Sequence, residues 1–293
     1  MKIDGRPARI LVAEDNEVNQ QVILGMLKNL GCEADLACDG SIAVNMAIAG
    51  GYDVILMDIH MPALDGVTAM QNIRSLLAGA SCPPIVAMTA HALPGDRERY
   101  LAMGMNDYVS KPIRPGELKS LFERLFADDS GDPPIDAQTP APIAQNRADG
   151  VPPAEELPIL DREQLEDLRY LPAPAGSGRD GQDAIGGLIR LFQTKATERM
   201  EEMDRLLAGG QWVQLAELAH SLRGSSASMG FPRVAADCKD LELAARQKQT
   251  GGETGAAAPN SLDETLARIK FHYAQADAAL RQWLLTGSAA GRE

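Results

Sequence analysis

Along residues 9–126, continuous apolar runs alternate with stretches whose apolar positions recur every three to four residues. RILVAED (9–15), ADLA (34–37), YDVILMD (52–58), PPIVAMT (83–89) and DYVSK (107–111) read as strands. Several are apolar throughout, which suits strands buried on both faces of a parallel sheet. Between them VNQQVILGMLKNLG, SIAVNMAIAG, LDGVTAMQNIRSLLAG, LPGDRERYLAMG and PGELKSLFERLF read as amphipathic helices. Five β-α units predict an α/β domain over 8–126 with a five-stranded, doubly wound parallel sheet. The pattern then changes. Residues 127–158 are rich in Pro, Ala and Asp without periodicity, the composition of a linker. From 159 to 286 no strand pattern remains. A short helix near LDREQLEDLRYL leads into longer helical periods, with Leu188, Leu191, Phe192, Met203, Leu206 and Leu207 on one stripe. Gly230, Phe231 and Pro232 break one helix before VAADCKDLELAARQ resumes. GGETGAAAPN is a loop, and SLDETLARIKFHYAQADAALRQWLL closes an all-α bundle.

Composition narrows the function classes. Aromatic residues are 4% of the chain, so the cores must be built from Leu, Ile, Val, Met and Ala. The net charge of −13 is spread as −4 over 1–126, −6 over 127–158 and −3 over 159–293. No segment is basic, which argues against a nucleic-acid partner. No apolar run reaches the roughly 18 residues of a membrane span, and MKIDGRPAR lacks a signal-peptide core, so no membrane partner and a cytoplasmic location are expected. Cys32, Cys38, Cys82 and Cys238 have no metal-site spacing and read as reduced thiols.

Three acidic residues fall at predicted strand ends: Glu14 and Asp15 after the first, Asp58 after the third. Neighbouring strand ends converge, and carboxylates crowded together favour a cation between them. Three oxygen ligands with room for water and phosphate suit Mg²⁺. Thr89 and Lys111 end the last two strands, where a hydroxyl and an ammonium can hold a phosphoryl group. EDN (14–16), MDIHMPALDG (57–66), MTA (88–90) and DYVSKP (107–112) resemble the receiver domain of two-component response regulators and hybrid kinases, a flavodoxin-like fold. The resemblance implies that Asp58 is the phosphoacceptor and that Asp15, Asp58 and the backbone carbonyl of His60 bind Mg²⁺, with Glu14 assisting through water. It further implies that Thr89 and Lys111 stabilise phosphoryl oxygens, that Tyr108 is a switch ring, that His60 and His91 tune the phosphate's lifetime, and that the Lys111–Pro112 bond is cis.

In LAHSLRGSSASMG (218–230), a rotation of roughly 100° per residue gathers Leu215, Leu218, Ala219 and Leu222 on one stripe and turns His220 away from it, toward solvent. Ala216, Arg223 and Gly224 flank His220 one turn away, a trough of small residues beside one cation. Gly224 costs a helix roughly 1 kcal/mol relative to Ala, so its presence suggests clearance for an incoming phosphoryl donor. The stretch resembles the histidine phosphotransfer (HPt) motif, with Arg223 where lysine is usual. The resemblance implies a four-helix HPt bundle in which His220 carries phosphate. His272 has no such context and reads as a surface or interface residue.

There is no GxxxxGK[ST] loop and no kinase-type Gly-rich lid, so the chain is expected to be a phosphotransfer intermediate rather than an enzyme, served by a histidine kinase in trans or forming the carboxyl-terminal part of a hybrid kinase. In the favoured reading Asp58 accepts phosphate from a kinase phosphohistidine, and His220 exchanges it with the chain's own or another receiver. The alternative is an interaction module in which Asp58 phosphorylation gates binding by the bundle without transfer.

Overall fold

The structure is a computed structural model, which describes residues 1–3, 5–77, 82–90, 96–126, 154–172, 184–249 and 261–287. His91, residues 127–153 of the expected linker and the loop at 251–260 lie outside them. The chain divides into two compact units, residues 1–15 with 26–151 and residues 16–25 with 152–293.

The sheet domain opens with a small antiparallel pair, β1 (Lys2–Ile3) and β2 (Arg6–Pro7), too short to show in the hydropathy pattern. The main sheet holds β3 (Arg9–Ala13), β4 (Glu33–Ala37), β5 (Val54–Asp58), β6 (Ile85–Thr89) and β7 (Asp107–Ser110), all parallel, in the order β4-β3-β5-β6-β7. Every residue of β5 and β6 is buried, as strands covered on both faces must be. The connecting helices are α1 (Glu17–Asn29), α2 (Gly40–Ala49), α3 (Gly66–Leu76), α4 (Asp96–Met103) and α5 (Pro115–Leu125). Asp39 and Asp65 cap α2 and α3 by accepting from the Ile42 and Thr68 amides, which satisfies orphan donors at each helix start. Pro115 occupies the first turn of α5, where its missing N–H costs nothing.

The helical unit contains α6 (Arg162–Arg169), α7 (Ala184–Ala208), α8 (Trp212–Ser228), α9 (Pro232–Gln249) and α10 (Leu262–Gly287). A three-residue break between α8 and α9 centres on Gly230, whose φ of 72° disfavours a side chain. A Cβ there would also sit 2.9 Å from the Asp161 carbonyl oxygen. Gly230 returns its own carbonyl to the Asp161 amide at 2.9 Å, fixing the start of α6 against that turn. In the core Phe192 and Phe231 meet edge to face at 5.0 Å, with Tyr273 about 6 Å from both. With so few aromatics in the chain, this trio supplies much of the large-side-chain packing. No described helix is long and apolar enough to cross a membrane.

Candidate functional site

The register aligns Ala13 with Met57, Asp58 with Met88 and Thr89 with Ser110, so the carboxyl ends of β3, β5, β6 and β7 lie side by side. Asp58 ends the central strand, beside the point where the strand order reverses, the usual ligand crevice of such sheets. Glu14, Asp15 and Asp58 each bring a carboxylate oxygen within 4.8 Å of the others. Lys111 enters from the far side, its Nζ 2.5 Å from Asp58 Oδ2 and 2.6 Å from Glu14 Oε2. Burial alone would push the Lys111 ammonium down, but the Asp58 and Glu14 charges beside it together push it up, so it stays charged. The other Asp58 oxygen, Oδ1, accepts from the His60 amide at 3.0 Å.

The loop after Asp58 is shaped by close approach. A Cβ on Gly66 would lie 2.0 Å from the Asp58 carbonyl oxygen, so only glycine admits this turn. The His60 side chain is exposed, and it is the backbone that serves Asp58. The Lys111–Pro112 peptide is cis. Thr89 is fully buried, and its hydroxyl lies 3.0 Å from the Tyr100 hydroxyl. Tyr108 is half-buried against the core of the sheet domain. Three carboxylates facing one ammonium leave a net charge of −2 on hard oxygen donors. That fits a divalent magnesium ion.

His220 lies midway along α8. The structure differs from the solvent-facing expectation: 17% of its side chain is exposed. The reason is that α8 is covered on more than one side, with Arg223, Ser225, Ser226 and Ser228 buried as well as Leu215, Ala219 and Leu222. His220 Nδ1 lies 3.1 Å from Glu242 Oε1 on α9. Glu242 also pairs with Arg223 at 2.9 Å and Arg246 at 3.1 Å. Burial raises the Glu242 carboxyl, but the His220 hydrogen bond and the Arg223 charge outweigh it and hold the group at about 2. An ionised carboxylate only accepts, and arginine only donates. The bond to Glu242 takes the Nδ1–H tautomer, with Arg223 Nη2 also 3.2 Å from that nitrogen, and this tautomer leaves the Nε2 lone pair available as a nucleophile. Arg223 is the cation beside His220, its Nη2 3.2 Å from Nδ1, but it is buried and also pairs with the carboxylate that orients the ring. At Gly224, apart from its own turn of helix, no atom of the described residues within 152–293 lies within 4 Å of where a Cβ would be.

Glu242 escaped the sequence reading because it is 22 residues from His220, on another helix, within a run whose charges look like a solvated face. His272 is also corrected. It is buried, with Nδ1 2.6 Å from Asp237 Oδ2, and Asp237 in turn accepts from Arg268. Its partner lies 35 residues upstream, beyond any local pattern.

Comparison with known proteins agrees with both halves. The family model of the response regulator receiver domain matches residues 10–123, and that of the Hpt domain matches residues 187–277. The chain thus belongs to the two-component phosphorelay proteins, as a receiver domain followed by an Hpt domain. The sensor protein GacS of Pseudomonas syringae pv. syringae is 30% identical over 271 residues, 92% of this chain and 28% of that protein. The histidine-protein kinase BarA of Escherichia coli K12 is 30% identical over 233 residues, 80% of this chain and 23% of that protein. This chain thus spans about a quarter of the length of these two relatives. Among solved structures, the receiver domain of the sensor histidine kinase PA1611 of Pseudomonas aeruginosa, crystallised with a magnesium ion in its active-site cleft, is 46% identical. It covers 42% of this chain and 99% of its own, at a TM-score of 0.38.

Proposed function

We propose that Asp58 accepts a phosphoryl group from a histidine kinase's phosphohistidine and that His220 carries phosphate to or from a receiver aspartate. The reading is carried by the Asp58 carboxylate, which sits at the end of the central strand with the Lys111 ammonium on one oxygen and the His60 amide on the other. An oxygen of Asp58 attacks the donor's phosphorus, a P–O bond forms, the donor's P–N bond breaks, and its electron pair returns to the donor imidazole. Lys111 and the Thr89 hydroxyl meet the charge on the equatorial phosphoryl oxygens, so catalysis is positioning and charge neutralisation. Glu14, Asp15, Asp58 and the His60 carbonyl would hold Mg²⁺, which supplies further neutralisation of phosphoryl charge.

At the second site the Nε2 lone pair of His220 attacks the phosphorus of a receiver's acyl phosphate, the P–O bond breaks, and the carboxylate leaves. The phosphorylated ring becomes an imidazolium cation whose Nδ1–H stays bonded to ionised Glu242, so the carboxylate both sets the tautomer and stabilises the product. Arg223 keeps Glu242 ionised and in place. Tyr108, half-buried beside the sheet's end, is the ring whose position follows the state of Thr89. We take the receiver as residues 8–126, the linker as 127–158 and the bundle as 159–286, acting in the cytoplasm.

The test follows phosphate through the chain. The protein, Asp58→Ala and His220→Ala are loaded with acetyl phosphate and Mg²⁺, and the label is challenged with acid and alkali. Acyl phosphate is lost in alkali, whereas phosphohistidine survives alkali and is lost in acid. The expected result is an alkali-labile label that needs Asp58 and an alkali-stable label that needs His220. A wild-type level of label on Asp58→Ala would sink the assignment.

A further inference from the structure

We propose that Tyr100 is a positioning residue for phosphoryl transfer at Asp58, acting by a hydrogen bond from its phenol to the Thr89 hydroxyl. The inference rests on the reading that Asp58 takes the phosphoryl group and that Thr89 meets one of its oxygens.

Tyr100 lies on α4, where the side chains of Arg97, Glu98 and Arg99 are exposed and Tyr100 turns inward. Its ring joins the core cluster with Met57, Ala87 and Met105 and is 5% exposed. A phenylalanine would fill that space equally well. The hydroxyl is what tyrosine adds, and a buried hydroxyl needs a partner. Its partner is Thr89 Oγ1, 3.0 Å away, on a residue with no exposed surface.

Direction matters because a threonine hydroxyl has one proton and two lone pairs. If Thr89 donates to Tyr100, its proton is engaged and it has nothing to offer a phosphoryl oxygen. If Tyr100 donates, it takes a Thr89 lone pair and not the Thr89 proton. A phenol O–H is more acidic than an alcohol O–H and so is the better donor of the two. Thr89 is also held through its backbone, since its carbonyl accepts from the Lys111 amide at 2.7 Å. Tyr100 acts at the other end of the residue, on its hydroxyl. The pair gives α4 a hydrogen-bonded path to the phosphoryl position that runs through one side chain, and it gives Thr89 an oriented donor before phosphate arrives.

The probe is beryllofluoride, a phosphoryl mimic that binds the receiver aspartate without covalent turnover, titrated with Mg²⁺ into the full chain. Mg²⁺ affinity alone is measured in parallel. Tyr100→Phe should weaken beryllofluoride about 3- to 10-fold, the scale of one net hydrogen bond, and leave Mg²⁺ affinity unchanged. In a Thr89→Val background the same change should have no further effect, whereas in Thr89→Ser, which keeps a hydroxyl, the sensitivity should return. Unchanged or tighter beryllofluoride binding in Tyr100→Phe overturns the proposal, as does an equal loss in the Thr89→Val background. A parallel loss of Mg²⁺ affinity shows a merely structural role and overturns it too. Failure of the wild-type chain to bind beryllofluoride overturns the Asp58 reading and this one with it.

Discussion

The Asp58 crevice and the His220 pocket are built from the same materials with opposite balance. In the crevice three carboxylates surround one ammonium, leaving a negative site. In the pocket one carboxylate, Glu242, is shared by two guanidiniums and an imidazole, leaving a positive site. The difference follows from the nucleophiles proposed for the two sites. An aspartate is already anionic, and phosphate brings more negative charge, so the crevice works only with extra cations. A neutral imidazole needs a fixed tautomer first, and arginines nearby then favour the arriving dianion. One lysine organises the first site, and one glutamate organises the second.

Lys111→Met should break this comparison most severely. It removes the ammonium that pairs with both Asp58 and Glu14 among three crowded carboxylates. Stability without Mg²⁺ should fall by about 3–5 kcal/mol, the usual cost of removing one partner of a buried pair. Adding Mg²⁺ should recover much of that loss in urea unfolding, and stabilise the variant more than the wild type. Phosphorylation by acetyl phosphate should drop on the order of 100-fold even in saturating Mg²⁺, because the fixed phosphoryl contact is gone. A variant with wild-type stability in the absence of Mg²⁺ would mean that the carboxylates do not repel one another as the geometry requires.

Glu242 is the counterpart test. Glu242→Ala removes the tautomer constraint and deprives buried Arg223 of its carboxylate. Transfer to and from His220 should slow by roughly 10-fold or more, since the wrong tautomer carries its proton on the attacking nitrogen. Nitrogen chemical shifts of the His220 ring should change from an Nδ1–H pattern to a mixture. Glu242→Gln keeps an acceptor and should retain most of the rate, but it abolishes a pH-dependent stability term. The Glu242 carboxyl is lowered from 4.5 to about 2 by folding. A depressed carboxyl stabilises the fold fully above its unfolded value and loses that contribution as pH falls toward the folded value. The stability gap between wild type and Glu242→Gln should be widest above about pH 4.5, on the order of 3 kcal/mol, and should close as pH falls toward about 2. A gap that stays constant across this window would show that the Glu242 charge contributes nothing.

The two sites also differ in how far the sequence exposes them. The crevice is nearly all legible, because each of Glu14, Asp15, Asp58, Thr89 and Lys111 sits at or just past the end of an apolar run, and strand ends in a parallel sheet come together by topology. Knowing the elements is then nearly knowing the site. The bundle offers no such rule. Its helices are evident from period and from the Gly230–Pro232 break, yet which faces meet depends on rotation and crossing angle. Reading α8 alone turns His220 outward, whereas the Glu242 carboxylate of α9 stands over its Nδ1. The burial of His272 against Asp237 was hidden for the same reason, as was Tyr100, whose partner Thr89 is on a strand 11 residues earlier. Pairings made by neighbouring strands follow from order, and those made by packed helices follow from side-chain shape.

Gly224→Ala carries the smallest and most discriminating effect. Among the described residues of 152–293, nothing beyond the local helix turn stands where the new methyl would go, and these residues give no reason for glycine. In the interior of α8, alanine should therefore stabilise the bundle by roughly 0.5–1 kcal/mol, seen as a higher melting temperature. If Gly224 keeps the surface beside His220 low for an approaching receiver, the same variant should transfer phosphate more slowly while labelling of Asp58 by acetyl phosphate is unchanged. Stability and transfer would then move in opposite directions, a pattern that damage to the bundle cannot produce. A more stable variant with undiminished transfer would assign Gly224 no part in letting the partner in, and would leave the orientation of His220 by Glu242 as the feature of α8 and α9 that serves phosphate transfer.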